Sequence, residues 1–181
     1  MVITSMRARE LAHAVPDPEL PMVGIGELGI VRDVVVDVDR VTVVITPTYI
    51  GCPAIETIEH DITVALRDGG ATDVRVQRRL SPPWSTDWIT AVAREKLRRF
   101  GIAPPVPAPA DRVLISLADL SASLHGIGPE CPHCGSSRTE QVSAFGSTAC
   151  KEHWRCQACH EPFDAIKPLP AGDRPSIAGY R

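Results

Sequence analysis

The stretch from Ile30 to Leu66, IVRDVVVDVDRVTVVITPTYIGCPAIETIEHDITVAL, decides the fold. Its first half, Ile30–Pro47, is rich in Val, Ile and Thr and is broken only at Asp37–Arg40, a pattern typical of two strands joined by a tight hairpin turn. In its second half Pro53 suits the first position of a helix, because that position needs no backbone N–H donor. The apolar residues that follow share one helical face: Ile55, Ile58, Ile62, Ala65 and Leu66. The stretch therefore predicts a β-hairpin followed by an amphipathic helix.

Segments on either side of this stretch complete the predicted domain. Ser5–Ala14 has the spacing of a short helix, and Asp17–Pro21 contains two prolines and is expected to be a loop. On the other side, Asp73–Leu80 alternates as a strand does, and Asp87–Phe100 carries a helical pattern with cations in its last turn. This order of elements predicts an α+β fold, a small mixed sheet of about three strands covered by helices.

A proline-rich segment, APPVPAPA at residues 103–110, separates this domain from the rest of the chain. Such a segment favours extended geometry and spaces the units that it joins. Val113–His125 adds a short apolar run and a weak helical pattern that could dock the linker. The predicted division is an α+β domain at residues 1–102, a linker and docking segment at 103–128, a cysteine-rich ribbon at 129–170 and a tail at 171–181.

Charge and apolar patterning restrict the class of protein. The net charge is −3, and four basic residues stand against five acidic ones in residues 129–168, a poor balance for binding nucleic acid phosphates. A protein partner is therefore the favoured one for the ribbon. The N-terminus lacks the apolar run of a signal peptide and no apolar stretch could span a membrane, so a cytoplasmic protein is expected. Its six cysteines should then be reduced, which favours metal ligands or reactive thiols.

Four cysteines occur as two C-x-x-C pairs at Cys131, Cys134, Cys156 and Cys159. Two such turns bring four thiolates onto one tetrahedral ion, the geometry that structural zinc accepts. An iron–sulfur cluster is a second interpretation, and a redox-active C-x-x-C pair is a third. A segment this small cannot fold on its apolar residues alone, so the bound metal should supply most of its stability.

A fifth thiol, Cys150, and three histidines, His133, His153 and His160, lie near these pairs. Any of them could replace a ligand. A four-thiolate site is complete without them, however, so they are interpreted as neighbours, with Cys150 a second-rank metal candidate.

Cys52 is the one cysteine outside the ribbon, and it precedes Pro53 at the predicted start of a helix. Free amides and the helix dipole at such a position stabilise a thiolate, which makes Cys52 a candidate reactive or metal-handling thiol. It could equally be a small buried side chain at a strand-to-helix turn. Asp17 and Glu19 could supply carboxylates near this thiol, although Asp before Pro is also common in solvated turns. No catalytic motif occurs elsewhere, so catalysis by this chain alone is not expected.

Several short motifs follow one another within residues 5–100: Asp17-Pro18-Glu19, Leu28-Gly29-Ile30-Val31, Thr46-Pro47 with Gly51-Cys52-Pro53, and Pro83-Trp84. Their order resembles a family of small α+β domains that take part in iron–sulfur cluster assembly. The resemblance implies that Cys52 is the functional cysteine of the domain. One departure is Glu27, where these domains more often have Asp, and it keeps the carboxylate.

The ribbon narrows the resemblance further. Residues 131–136, 145–151 and 155–163 look like the D-component family of the bacterial phenylacetyl-CoA epoxidase system, and the second of these stretches contains Cys150. In that system other components carry the di-iron oxygenase and the reductase with its flavin and iron–sulfur cluster. The resemblance implies an accessory protein of aerobic phenylacetate catabolism that helps to assemble or repair the iron–sulfur or di-iron centre of one of those components.

The expected cofactors are a structural zinc in the ribbon and a transient iron ion or iron–sulfur cluster at Cys52. The expected partners are the reductase, the di-iron oxygenase or both, and a homodimer is left open. One alternative is a stoichiometric structural or regulatory component of the oxygenase complex that transfers no metal. A more remote alternative, from another class, is a zinc ribbon protein that binds nucleic acid.

Overall fold

The computed structural model describes residues 3–38, 40–49, 51–106 and 128–169. The elements of its first part are α1 (Ser5–Ala14), β1 (Pro16–Asp17), β2 (Leu20–Gly24), β3 (Val31–Asp37), β4 (Arg40–Ile45), α2 (Ile55–Asp68), β5 (Asp73–Arg78), a short 3₁₀ helix (Thr86–Trp88), α3 (Ala91–Arg99) and β6 (Ile102–Ala103). The second part contains β7 (Thr139–Ser143), β8 (Lys151–Cys156) and β9 (Pro162–Ile166). No helix in the described ranges is long and apolar enough to cross a membrane.

A three-stranded sheet in the order β3-β4-β5 forms the centre of the N-terminal domain, residues 3–101. β3 and β4 are antiparallel and make the predicted hairpin, whereas β4 and β5 run parallel and are connected through α2. Val41 and Val43 on the central strand are fully buried. The sheet is therefore mixed and three-stranded, which confirms the predicted fold class.

Helices α1 and α2 pack against this sheet and against each other. The hydroxyl of Thr4 accepts the N–H of Arg7 and caps α1, whose bounds agree with the prediction. α2 buries the predicted stripe of Ile55, Ile58, Ile62 and Leu66. It begins at Ile55 rather than at Pro53, because residues 53 and 54 form a turn that precedes the first helical residue.

Two local predictions need correction. The segment Asp17–Pro21, expected to be a loop, lies in a small antiparallel ladder of β1 and β2, which the Asp17 side chain closes by accepting two backbone N–H groups. The last helix of the domain begins at Ala91 rather than Asp87, because the hydroxyl of Thr90 caps it by accepting the N–H of Ala93.

The ribbon, residues 128–169, forms a sheet in the order β6-β9-β8-β7. Its edge strand β6 directly follows the N-terminal domain in sequence and pairs in parallel with β9, Ile102 opposite Asp164 and Ala103 opposite Ala165. The domain boundary predicted after residue 102 falls inside this strand, and it stays a prediction. The predicted docking segment Val113–His125 and the tail lie outside the described residues.

The ribbon packs directly against the N-terminal domain. Ile166 on β9 is 5% exposed and belongs to the hydrophobic core of that domain. Two hydrogen bonds join Thr86 and Leu169, one from the Thr86 N–H to the Leu169 carbonyl at 2.9 Å and one from the Leu169 N–H to the Thr86 hydroxyl at 3.2 Å. The two parts of the chain therefore share an interface that strands, core side chains and backbone hydrogen bonds all cross.

Candidate metal centre and thiol pocket

The four paired cysteines converge at one point of the ribbon. The sulfur of Cys131 lies 3.7 Å from that of Cys159, the sulfur of Cys134 lies 3.6 Å from that of Cys156, and all four lie within 4.8 Å of one another. Four sulfurs placed tetrahedrally around zinc at about 2.3 Å would be about 3.8 Å apart. The arrangement therefore has the dimensions of a tetrahedral four-thiolate site.

Backbone amides favour the thiolate form of Cys156 but not of Cys159. The N–H of Glu161 lowers the pKa of Cys159, but desolvation and the neighbouring thiols outweigh it and raise this pKa to about 12. The N–H groups of Ala158 and Cys159 point at the Cys156 sulfur at 3.3 and 3.5 Å. The hydrogen bond from Cys159, followed by that from Ala158, outweighs desolvation and lowers the pKa of Cys156 to about 6. At the first pair, Gly135 turns the chain with a φ of +73°, and its N–H donates to the Cys131 carbonyl at 2.8 Å.

The other ligand candidates of the ribbon stand apart from this cluster. Among the described residues, only the four paired cysteines form a group of three or more metal-ligating side chains with all their atoms within 4.8 Å. Nδ1 of His153 lies 3.2 Å from an Asp164 carboxylate oxygen, His160 has a positive φ of 65°, and His133 contacts the region of Gly101. The geometry brings together the four thiols and none of the histidines.

Cys52 lies in a different place, a cavity of about 40 Å³ between the N-terminal domain and the ribbon. It reaches this cavity on the loop that follows β4, and the buried Trp84 forms another wall, held by a 2.9 Å hydrogen bond from its Nε1 to the Leu28 carbonyl. The polar and thiol groups that line the cavity are Asp17, Glu19, Thr48, Tyr49, Cys52, Thr148 and Cys150. The last two belong to the ribbon.

Burial raises the pKa of the Cys52 thiol, and the charges of Asp17 and Glu19 raise it further. The amide of Ala54 and the hydroxyl of Tyr49 hydrogen-bond to the sulfur and oppose this shift without overcoming it. The expectation that a helix N-terminus would stabilise a thiolate here is therefore wrong for the protein without metal. Desolvation is the largest effect on this thiol, and the hydrogen bond from Ala54 at the start of α2 does not outweigh it.

Both carboxylates that were candidates to lie near Cys52 reach this cavity, but they differ in what they contact. Asp17 is 7% exposed, and its Oδ1 accepts the N–H groups of Glu19 and Leu20, both at 2.9 Å. Burial raises the pKa of Asp17, although these two hydrogen bonds oppose the shift. Oε2 of Glu19 is buried and has no hydrogen-bond partner among the described residues. Asp17 therefore closes the turn, whereas Glu19 keeps an oxygen free.

Lys151 is a residue that sequence reasoning missed. It lies at the start of β8, is only 6% exposed, and its positive charge acts on Asp17 and on Cys150. A lysine in a strand of a charged segment looks like an ordinary solvent-facing residue, so no local pattern distinguishes it. Its electrostatic effect on Asp17 can be recognised only once the ribbon is packed against the N-terminal domain.

Two family models match the chain, an "Iron-sulfur cluster assembly protein" model at residues 10–77 and a "PaaD zinc beta ribbon domain" model at residues 121–167. A protein of Escherichia coli (strain K12), named as the putative D component of 1,2-phenylacetyl-CoA epoxidase, is 43% identical over 159 residues, 87% of this chain and 88% of that protein. The chain belongs to this D-component family. The family and the zinc ribbon predicted from sequence are thereby confirmed.

Solved structures similar to part of this D-component chain cover about half of it. A domain of unknown function from Bacillus anthracis is 31% identical and covers 51% of this chain and 90% of that chain, with a TM-score of 0.48. A Mycobacterium tuberculosis protein associated with iron–sulfur complex assembly and repair is 33% identical and covers 51% and 82%, with a TM-score of 0.33.

Proposed function

We propose that this chain is a non-catalytic accessory protein of the multicomponent oxygenase that epoxidises the ring of phenylacetyl-CoA. It helps to assemble or repair the iron–sulfur or di-iron centre of a partner, which is the reductase, the di-iron oxygenase or both. The chain performs this function in the cytoplasm. Support comes from the D-component relative and from the match of residues 10–77 to an iron–sulfur cluster assembly protein.

The observation that carries this proposal is the setting of Cys52. Its thiol lines a small cavity together with Tyr49 and two carboxylates, Asp17 and Glu19, in the domain that matches the assembly family. A metal ion that reaches the sulfur replaces its proton, because thiolate is the ligand form and binding releases the proton. The raised pKa of Cys52 keeps the sulfur protonated until metal arrives, and iron or a cluster is the cargo of the site.

The ribbon has a separate role in this proposal. Cys131, Cys134, Cys156 and Cys159 hold one structural zinc, which their tetrahedral spacing fits. Zinc has no redox chemistry of its own, so at this position it fixes the shape of the ribbon. The proposed units remain the α+β domain at 1–102, the linker at 103–128, the ribbon at 129–170 and the tail at 171–181.

Reconstitution of a partner tests the role of Cys52. Apo-reductase or apo-oxygenase is incubated without oxygen with iron, sulfide and either the wild-type protein, Cys52→Ala, or Met6→Ala, a control on the exposed face of α1. We expect wild type and the control to restore activity and Cys52→Ala to fail. Equal reactivation by all three would exclude metal handling by Cys52. Loss of activity on removing this chain from mature oxygenase would instead favour a structural role in the complex.

A further inference from the structure

The cavity that holds Cys52 also holds a second thiol from the other part of the chain. Cys150 lies on the ribbon loop before β8 and lines the same cavity of about 40 Å³. Both thiols are partly exposed, and neither belongs to the four-thiol cluster. Asp17 and Glu19 line the same cavity, and their charges act on both thiols.

The loop that carries Cys150 is anchored at several points. The Lys167 N–H donates to the Cys150 carbonyl at 3.0 Å, which ties the loop to the end of β9. The Ser147 hydroxyl donates to an Asp164 oxygen at 2.9 Å, and a Cβ at Gly146 would lie only 3.2 Å from the same carboxylate. Cys150 is therefore presented to the cavity by a packed loop with fixed backbone contacts.

Glu19 supplies an independent observation that points to a ligand. Its buried Oε2 has no hydrogen-bond partner among the described residues, and Glu19 is one of the residues that line the cavity. A buried carboxylate oxygen without a partner loses its hydration and gains nothing in return, which is unfavourable. A bound cation would satisfy this oxygen. Two sulfurs and one carboxylate make a mixed donor set that suits a borderline divalent ion such as Fe²⁺.

We propose that Cys52, Cys150 and Glu19 form a second metal site, which binds iron between the N-terminal domain and the ribbon. The proposal rests on the proposed function, in which Cys52 handles metal, and adds to it a ligand from the ribbon. Their three donor atoms are not a group with all members within 4.8 Å of one another among the described residues, so binding of one ion by all three requires a change of side-chain rotamer. Iron is then held by both parts of the chain at once.

Iron binding to the full-length, zinc-loaded protein tests this site. Ferrous iron is added without oxygen, and the dissociation constant and the retained iron and zinc are measured for wild type, Cys52→Ser, Cys150→Ser and Glu19→Gln. Ser137→Ala, an exposed ribbon position, is the matched control. We expect wild type and the control to bind about one iron per chain and both thiol variants to bind at least tenfold more weakly, with zinc unchanged. Glu19→Gln should weaken iron binding as well.

The outcomes separate this inference from the proposed function. If Cys52→Ser loses iron while Cys150→Ser and Cys150→Ala bind it as wild type does, the two-thiol site is wrong and the role of Cys52 stands. If neither thiol variant changes iron affinity, both proposals are wrong. The zinc content and unfolding midpoint of each variant show whether it is folded, and Cys150→Ala takes the place of Cys150→Ser if the latter unfolds the ribbon. A sulfur-to-iron charge-transfer band that loses intensity in each thiol variant would support direct ligation by both.

Discussion

Ile166 is the side chain through which the packing of the ribbon on the N-terminal domain can be measured. It lies on β9 of the ribbon but is 5% exposed within the core of the other domain, where it also lines the thiol cavity. Ile166→Ala removes three carbons, about 2.4 kcal/mol at about 0.8 kcal/mol per buried CH₂. The unfilled cavity adds about 1 kcal/mol. We therefore expect the free energy of unfolding to fall by about 3 kcal/mol.

Urea denaturation of the zinc-loaded protein measures this loss as a shift in midpoint at constant slope. Val142→Ala, a ribbon position that is 59% exposed, is the control and should change the free energy by less than about 0.5 kcal/mol. Ile166→Ala should also speed the reaction of Cys52 and Cys150 with a thiol reagent, since it removes a wall of their cavity. If Ile166→Ala costs no more than Val142→Ala, the ribbon does not pack on the N-terminal domain through this side chain.

Three further changes test other parts of the structure. Gly29→Ala puts a Cβ 2.5 Å from the Trp88 Cβ at a φ of +73°, and it should lower the free energy of unfolding by about 3 kcal/mol. Gly51→Ala, where φ is +87° and nothing lies within 4 Å of the added Cβ, should lower it by about 1 kcal/mol. Equal unfolding midpoints for the two variants would contradict this expectation. Burial raises the pKa of Glu27, but the hydrogen bond and charge of Lys96 outweigh burial and hold this pKa below its usual 4.5. The ionised carboxylate therefore stabilises the folded protein above pH 4.5, and this stabilisation is lost as the pH falls through the pKa of the folded state. The ion pair of Glu27 with Lys96 is partly exposed, so Glu27→Gln should lower the free energy of unfolding by about 1 kcal/mol or less at neutral pH. This difference from wild type should vanish in acid, and a difference that stays constant with pH would refute the expectation. Removing the ribbon's metal with a chelator should collapse the amide NMR dispersion of residues 128–169 while the N-terminal domain keeps its own, and a dispersed ribbon without metal would show that other contacts suffice.

The regular elements could be predicted from sequence because their causes are local. Alternation along β4, which buries Val41 and Val43, and the apolar stripe of α2 follow directly from strand and helix periodicity. The errors lie where one side chain decides a boundary. Thr90 caps α3 and so sets its first residue. Asp17 closes the β1-β2 ladder by accepting hydrogen bonds from its own turn, whereas the two prolines nearby had favoured a loop without strands.

The residues of the four-cysteine site could be predicted from sequence, whereas the residues that line the thiol cavity could be predicted only in part. The four zinc-ribbon cysteines follow from spacing, because each C-x-x-C turn brings its own pair together. The presence of Cys52 and Cys150 in the lining of one cavity depends on two long-range contacts, the β6-β9 ladder and the burial of Ile166, and no local pattern encodes either one. Sequence reasoning placed Cys150 near the zinc ligands, whereas the fold turns it toward the other domain.

The zinc ribbon and the thiol cavity are physically connected. Apart from two cysteines, the core of the ribbon consists of Ala103, Phe163 and Ala165, too few apolar side chains to hold its strands without metal. Asp164 on β9 and Lys167, directly after this strand, make the hydrogen bonds that fix the loop carrying Cys150. Under the two proposals above, zinc at the four cysteines would hold Cys150 in position at the cavity, and it would thereby contribute to iron binding there without reacting itself.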